Sequence, residues 1–175
     1  MSRLEPLLPR LYRYAFSLAR NDDGARDLVQ QCALKALTAK NTPDADSAYR
    51  AWLFVILRNA FIDSVRRKGA TDSIFDPQAL ENCDEKEMEY WGGEERFINT
   101  LAVKQAMGRL KARDREIIGL VDLAGLSYAE AAGVIGIPQG TVMSRISRAR
   151  DHLLALLEKG TVEVMPSRRA GIRQK

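Results

Sequence analysis

GLSYAEAAGVIGIPQGTVMSRISRAR, residues 125–150, is the stretch whose reading decides the fold. Ser127 and Glu130 stand three apart ahead of an apolar run. That is the spacing of a capping box, in which each side chain takes the other residue's backbone N–H at a helix start. It predicts a short helix from Tyr128 to Ile135. Gly136 follows, where a tight helix–helix turn needs positive φ. Pro138 suits the start of a second helix, where its missing N–H costs nothing. Ala132 is small where two helices must cross, and Val142 is apolar where the second helix must face the core. Small residue, glycine and apolar residue at these intervals make a helix-turn-helix pattern.

The second helix divides by face. Val142, Ile146, Ala149 and Leu153 recur at helical spacing and form a stripe to be buried. Thr141, Ser144, Arg145 and Arg148 form a neighbouring stripe, with Gln139 and Met143 flanking its N-terminal end. This outward stripe holds hydroxyls, an amide and two arginines, and no carboxylate. Arginine bonds guanine edges bidentately, glutamine bonds adenine, and hydroxyls hold phosphates. A basic helix face is more often merely solvated. The capping box, the turn glycine and the carboxylate-free stripe together favour a DNA-reading helix.

The rest of the chain sets the frame. Of 175 residues, 46% are apolar, enough to bury a core, and 29% are charged, which suits long exposed helix faces. No run is long and apolar enough to span a membrane, and no signal-like segment follows Met1, so a soluble, cytoplasmic protein is expected. Two cysteines, Cys32 and Cys83, and a single histidine, His152, are too few for a zinc site; reduced thiols are expected, with no metal or other cofactor. Charge is unevenly placed: residues 1–69 carry +5, residues 70–99 carry −7, and residues 100–175 carry +6. Two basic modules joined by an acidic connection suit a partner that is a polyanion.

Along the chain, Leu4, Leu7, Leu8, Leu11, Ala15 and Leu18 mark an amphipathic helix over residues 3–20. Asn21 or Asp22 offers the cap of a second, with Ala25, Leu28, Val29, Cys32, Ala36 and Leu37 on its apolar face, up to about Lys40. Asn-Thr-Pro-Asp breaks the pattern at 41–44. A third helix runs from Ser47 to Lys68, with Gly69 as its stop. Periodicity fades over 70–96, with short helical turns expected around Glu85–Trp91. Asn99 or Thr100 then caps a helix through Leu110, and Asp114 caps another over Arg115–Ala124. The fold expected is all-α: two small helical bundles joined by a flexible acidic linker, the C-terminal one containing the helix-turn-helix. The boundaries are 1–69 for the first bundle, 70–99 for the linker, 100–159 for the second bundle and 160–175 for a basic, disordered tail.

With these residues in view, the opening stretch resembles region 4 of bacterial extracytoplasmic-function (ECF) sigma factors. ARDLVQQCALKAL, residues 25–37, and YRAWLFVILRNAFIDSVRRK, residues 49–68, resemble region 2 of the same family. The resemblance covers residues 4–68 and 100–157. It implies an alternative sigma factor that binds core RNA polymerase and directs promoter-specific initiation, with an anti-sigma factor as a further partner. No small-molecule substrate and no membrane insertion are implied. Gln139, Thr141, Met143, Ser144, Arg145 and Arg148 would read the upstream (minus 35) box. Tyr49, Arg50, Arg58, Asn59, Arg66 and Arg67, with the loop Asn41–Ser47, would recognise and melt the downstream (minus 10) box. Asp27, Leu28, Gln30 and Gln31 would meet the polymerase, and the acidic linker would thread through it. Melting is not catalysis; its cost falls when unstacked bases of one strand are bound. Trp52, on the apolar face, is assigned to the core rather than to base stacking.

Two departures from the family pattern stand out. Met143 replaces a usual lysine, so that either one phosphate or base contact is lost or an apolar contact to a thymine methyl is gained, and Gln31 replaces a usual acid. Other functions are weighed against this one. A helix-turn-helix regulator without polymerase leaves the region 2-like half unexplained and lacks a dimerisation helix. A sigma-like decoy for an anti-sigma factor usually carries a receiver domain, for which there is no room. An enzyme is excluded as a reading, since neither a phosphate-binding G-x-x-x-x-G-K-[ST] loop nor a G-x-S-x-G elbow occurs.

Overall fold

Helix α1, Leu8–Ala19, starts from a 3-10 turn at Glu5–Leu7, with Pro6 and Pro9 in first-turn positions that need no N–H donor. The structure, a computed structural model, describes residues 3–67 and 94–160. Arg20 ends α1 in the left-handed conformation (φ 66°), and its N–H donates to the Phe16 carbonyl at 2.8 Å. Asn21 caps α2, Asp22–Thr38, accepting from the Gly24 N–H at 2.7 Å. The turn is therefore two residues long, and α1 and α2 pack side by side. Helix α3, Asp46–Arg67, closes the first bundle. Arg3 fixes the loop before it: its guanidinium donates to the carbonyls of Pro43 and Asp44, pairs with Asp46 at 3.0 Å, and lies 4.3 Å over the Tyr49 ring.

The second half contains α4, Glu94–Arg109, and α5, Ala112–Ile118, which runs on through a π-helical turn at Gly119–Leu123. Then come α6, Tyr128–Ile135, and α7, Gln139–Gly160. Two expected caps are corrected. Helix α4 begins at Glu94, so Asn99 and Thr100 lie inside it. Lys111, not Asp114, is the N-cap of α5; Asp114 sits in the first turn, where a negative charge suits the helix dipole, and its Oδ2 lies 3.0 Å from Nδ1 of His152 on α7. Among the described residues no strand occurs, and no helix is long and apolar enough to cross a membrane. The linker, Cys83 and the basic tail lie outside the described residues, apart from the start of α4.

The two bundles do not stand apart. Leu11, Tyr14, Leu53, Phe54 and Leu57 of the first half and Ile117, Leu120, Val142 and Ile146 of the second belong to one continuous buried cluster. Helix α3 packs on α6, and α1 packs on α5 and the π turn. One close approach is at Gly119. A Cβ built there would lie 2.2 Å from Ser17 Oγ, 3.1 Å from Ser17 Cβ and 3.2 Å from the Tyr14 ring. Only a glycine lets the π turn lie this close to α1, and the turn's 2.9 Å bond from Ala124 N–H to the Gly119 carbonyl keeps the backbone paired there.

Gly119→Ala should therefore lower unfolding free energy by roughly 1–3 kcal/mol, the range for overpacking a close contact. Urea denaturation checks this. Part of the loss should return in the Ser17→Ala background, which removes the nearest atom.

Candidate nucleic-acid interface

The capping box forms as the spacing predicted. Ser127 Oγ accepts from the Glu130 N–H at 3.2 Å, and Glu130 Oε2 accepts from the Ser127 N–H at 2.8 Å. Gly136 ends α6 at φ 79°, donating to the Ala132 carbonyl at 2.8 Å. The Pro138 carbonyl then accepts from Thr141 and Val142, which starts α7. Val142, Ile146 and Ala149 are fully buried and Leu153 partly so. That burial sets the rotation of α7 about its axis, and so decides which side chains look outward.

Gln139, Met143, Ser144 and Arg148 are exposed, while Thr141 and Arg145 are half-buried. Met143 is 51% exposed, large for an apolar side chain with no core role. Arg148 Nε donates to the Ser144 carbonyl at 3.2 Å, which leaves its terminal nitrogens to face solvent. Gly140, in the first turn, has open space where a Cβ would be, so backbone there is bare to an approaching ligand. It is a residue the sequence reading did not single out. Arg150 is different: it grips Asp122 with two bonds, at 2.6 and 3.1 Å, and ties α7 to the π turn.

On the first bundle the expected residues divide. Asn59, Arg66 and Arg67 are exposed at the far end of α3. Arg66 and Arg67, with Gln31, Lys35, Ala60 and Asp63, line an open groove between α2 and α3. Tyr49 is buried beneath Arg3, with the half-buried Trp52 ring 5.6 Å from its own. Arg50 and Arg58 are engaged across the bundle boundary. Arg50 Nε donates to Glu130 Oε1 at 2.9 Å, with a second contact through Nη2, and Arg58 Nε donates to Glu116 Oε1 at 2.7 Å. These partners are 80 and 58 residues away in sequence, and no local pattern announces them. Tyr14 is buried beside Glu116; burial first, then that negative charge, pushes its hydroxyl well above the ordinary phenol range.

On α2, Asp27 and Gln30 are exposed, and Gln31 donates to Asp27 at 2.7 Å. Leu28 is buried, so it holds the helix in the bundle rather than facing a partner. Leu34 and Leu37 are the exposed apolar residues of that helix, at 65% and 58%. Cys32 is buried, its Sγ 3.3 Å from the Leu53 carbonyl, and burial pushes its thiol up to about 12, which keeps it unreactive.

Glu130 is engaged from two sides, by Arg50 and by Ser127. Burial alone would raise its pKa, but hydrogen bonds from Arg50 and from the Ser127 backbone and hydroxyl hold it below the ordinary carboxylate range. A lowered pKa contributes stability above the ordinary value, and that stability is lost as pH falls through the lowered one. In urea denaturation from about pH 7 to about pH 3, wild type and Glu130→Gln should converge toward the acid end. A gap that stays constant with pH would show that the Glu130 charge contributes nothing.

Comparison with known proteins agrees with this geometry. Residues 4–71 match the family Sigma-70 region 2, and residues 100–153 match Sigma-70, region 4. The chain is 35% identical over 153 residues to the ECF RNA polymerase sigma factor EcfG of Rhodopseudomonas palustris, covering 86% of this chain and 80% of that protein. It is 35% identical over 131 residues to the ECF RNA polymerase sigma factor SigC of Mycobacterium tuberculosis, covering 75% and 69%. Among solved structures it resembles the sigma factor RpoE of Bartonella quintana in complex with the anti-sigma factor NepR. The TM-score there is 0.70 at 32% identity, over 90% of this chain and 95% of that one. It also resembles CnrH in complex with the cytosolic domain of CnrY, with TM-score 0.60 and 28% identity, over 90% and 84%.

Proposed function

Because the chain belongs to the ECF sigma factors of the sigma-70 family, binding core RNA polymerase and directing transcription from promoters, we propose how its surfaces divide that work. Helix α7 reads the upstream box. The observation that carries this assignment is its outward stripe of amide, hydroxyl and arginine side chains, backed by a fully buried apolar stripe. Arg148, exposed and without a carboxylate partner among the described residues, is the leading base reader, with Gln139, Thr141, Ser144 and Arg145 around it. Met143 offers an apolar contact to a thymine methyl. Arg150, clasped by Asp122, belongs to the scaffold.

Helix α3 engages the downstream box. Arg66, Arg67 and Asn59 supply cationic and amide contacts at its exposed end, and Arg50 and Arg58 join them once released from their carboxylates. Tyr49 holds the Asn41–Ser47 loop through Arg3. The outer face of α2, with Asp27, Gln30, Gln31 and the exposed Leu34 and Leu37, meets the polymerase. The chain divides into a first module over residues 1–69, a connection over 70–99 and a second module over 100–159. An anti-sigma factor, of the kind seen bound to the Bartonella quintana relative, holds the protein silent in the cytoplasm.

Reconstituted transcription with bacterial core polymerase and fragments from upstream of the gene tests this reading. Specific starts are expected. Arg148→Ala should reduce them by on the order of tenfold, the loss of one bidentate base contact of about 1–3 kcal/mol. Arg150→Ala should leave the choice of promoter unchanged and lower thermal stability instead. Tight duplex binding without binding to core polymerase would mean a simple helix-turn-helix regulator.

A further inference from the structure

We infer that Arg3 is a positioning residue for recognition of the downstream box: it holds the loop before α3 in the shape that meets the DNA strand. The inference rests on the reading of that loop and of α3 as the downstream-box surface, and it names a residue outside both that keeps the loop in place. Arg3 lies ahead of α1, 40 and 41 residues from its two carbonyl acceptors. Its Nη1 donates to the Pro43 carbonyl at 3.2 Å and its Nη2 to the Asp44 carbonyl at 2.9 Å. Nη2 also lies 3.0 Å from Oδ1 of Asp46, the first residue of α3, and the guanidinium sits 4.3 Å over the Tyr49 ring. A planar fork of fixed donors serves two successive carbonyls and a ring face at once, which a point charge cannot.

The loop itself packs little. Asn41, Thr42, Asp44, Ala45, Asp46 and Ser47 are exposed, and Pro43 is half-buried. An open cleft of about 290 Å³, lined by Arg3, Leu37, Thr42 and Tyr49 among others, borders it. Tyr49 is a buried anchor, and Arg3 joins that anchor to the loop backbone. The ion pair contributes little to this hold, because the Asp46 side chain is 94% exposed and solvated. The two carbonyl bonds matter more, since they fix the backbone at two adjacent residues. Arg3 Nε is buried without a hydrogen-bond partner among the described residues, so the group is placed for its outer two nitrogens and not for full pairing.

Ordering an exposed loop costs conformational entropy. Left free, it would hold its binding shape for only part of the time, and its apparent affinity would fall by that fraction. With Arg3 in place the ordering precedes the arrival of DNA, and the strand meets preset backbone. Arg3 acts through the loop and need not touch DNA itself. Its effect is therefore local to the downstream box, because the reader stripe of α7 belongs to the other half of the molecule. A general loss of fold would instead weaken every template alike.

The test uses the full chain with Arg3→Ala and Arg3→Lys. Arg13→Ala is the control, an exposed arginine of α1 whose Nε bonds within its own helix, to the Pro9 carbonyl. The first readout is backbone amide order parameters of the loop from NMR relaxation of the free protein. They should fall from about 0.85 to below about 0.6 in Arg3→Ala while α2 and α3 stay rigid. Arg3→Lys keeps the charge but loses the fork, so it should follow Arg3→Ala; Arg13→Ala should match wild type. The second readout is transcription by the holoenzyme from a promoter mapped with wild type, against templates with one base pair changed in either box. In Arg3→Ala the preference for the original downstream box should fall on the order of tenfold, with the upstream preference unchanged.

A loop that stays ordered in Arg3→Ala, a loosened loop with the downstream preference intact, or equal losses at both boxes would each overturn the inference. If Arg3→Ala loses helix, Arg3→Lys decides by the same two readouts. Wild type without any specific start would sink the downstream-box reading and this inference with it, leaving Arg3 a staple of the fold. Wild type with both preferences, matched by Arg3→Ala, would leave that reading standing and remove this inference alone.

Discussion

One carboxylate joins the local and the long-range structure of this protein. Glu130 Oε2 takes the Ser127 N–H and so defines where the helix-turn-helix begins. Its Oε1 takes Arg50, eighty residues back, and so defines where that module sits on the first bundle. A helix start leaves N–H groups unpaired, and a half-buried arginine needs an acceptor; a single bidentate acid meets both needs. Shift α6 by one residue and both bonds fail together. The same charge also makes the contact reversible, since a partly solvated ion pair can be exchanged for another anion in a way that a sealed apolar contact cannot.

Around that point, polar and apolar contacts have different tasks. Burial of Val142, Ile146 and Ala149 fixes how α7 is rotated. Everything the helix reads follows from this rotation, because a turn of about 100° per residue puts each neighbour on a different face. The glycine at 119 sets how closely the two halves approach, through a backbone that nearly touches Ser17 and Tyr14. The ion pairs then select one arrangement among those that the apolar surface alone would allow.

The helices were legible because each is written in short-range signals. Asn21, Ser127, Gly136 and the apolar stripe of α7 act within about one turn, and all formed as their spacing implied. Errors came where two signals competed. Asp114 has the chemistry of a cap, yet α5 starts three residues earlier and leaves it to meet His152. Leu28 and Tyr49 sit in motifs that suggest outward roles, but their apolar bulk goes into the core.

What the sequence by itself determined is the local grammar: all-helical character, the helix-turn-helix, the uneven charge, and the motifs that mark regions 2 and 4. What only the tertiary structure decided is which charges are free. Arg148 and Arg150 are chemically alike and two residues apart, yet one faces solvent and the other is clasped by Asp122, 28 residues back. Arg50 and Arg66 sit on one helix, yet one is paired across the molecule and the other is exposed. Capping and periodicity depend on neighbours along the chain and can be read from it. The pairing of a guanidinium depends on which carboxylate the fold brings within 3 Å, and that distance exists only after the helices have packed.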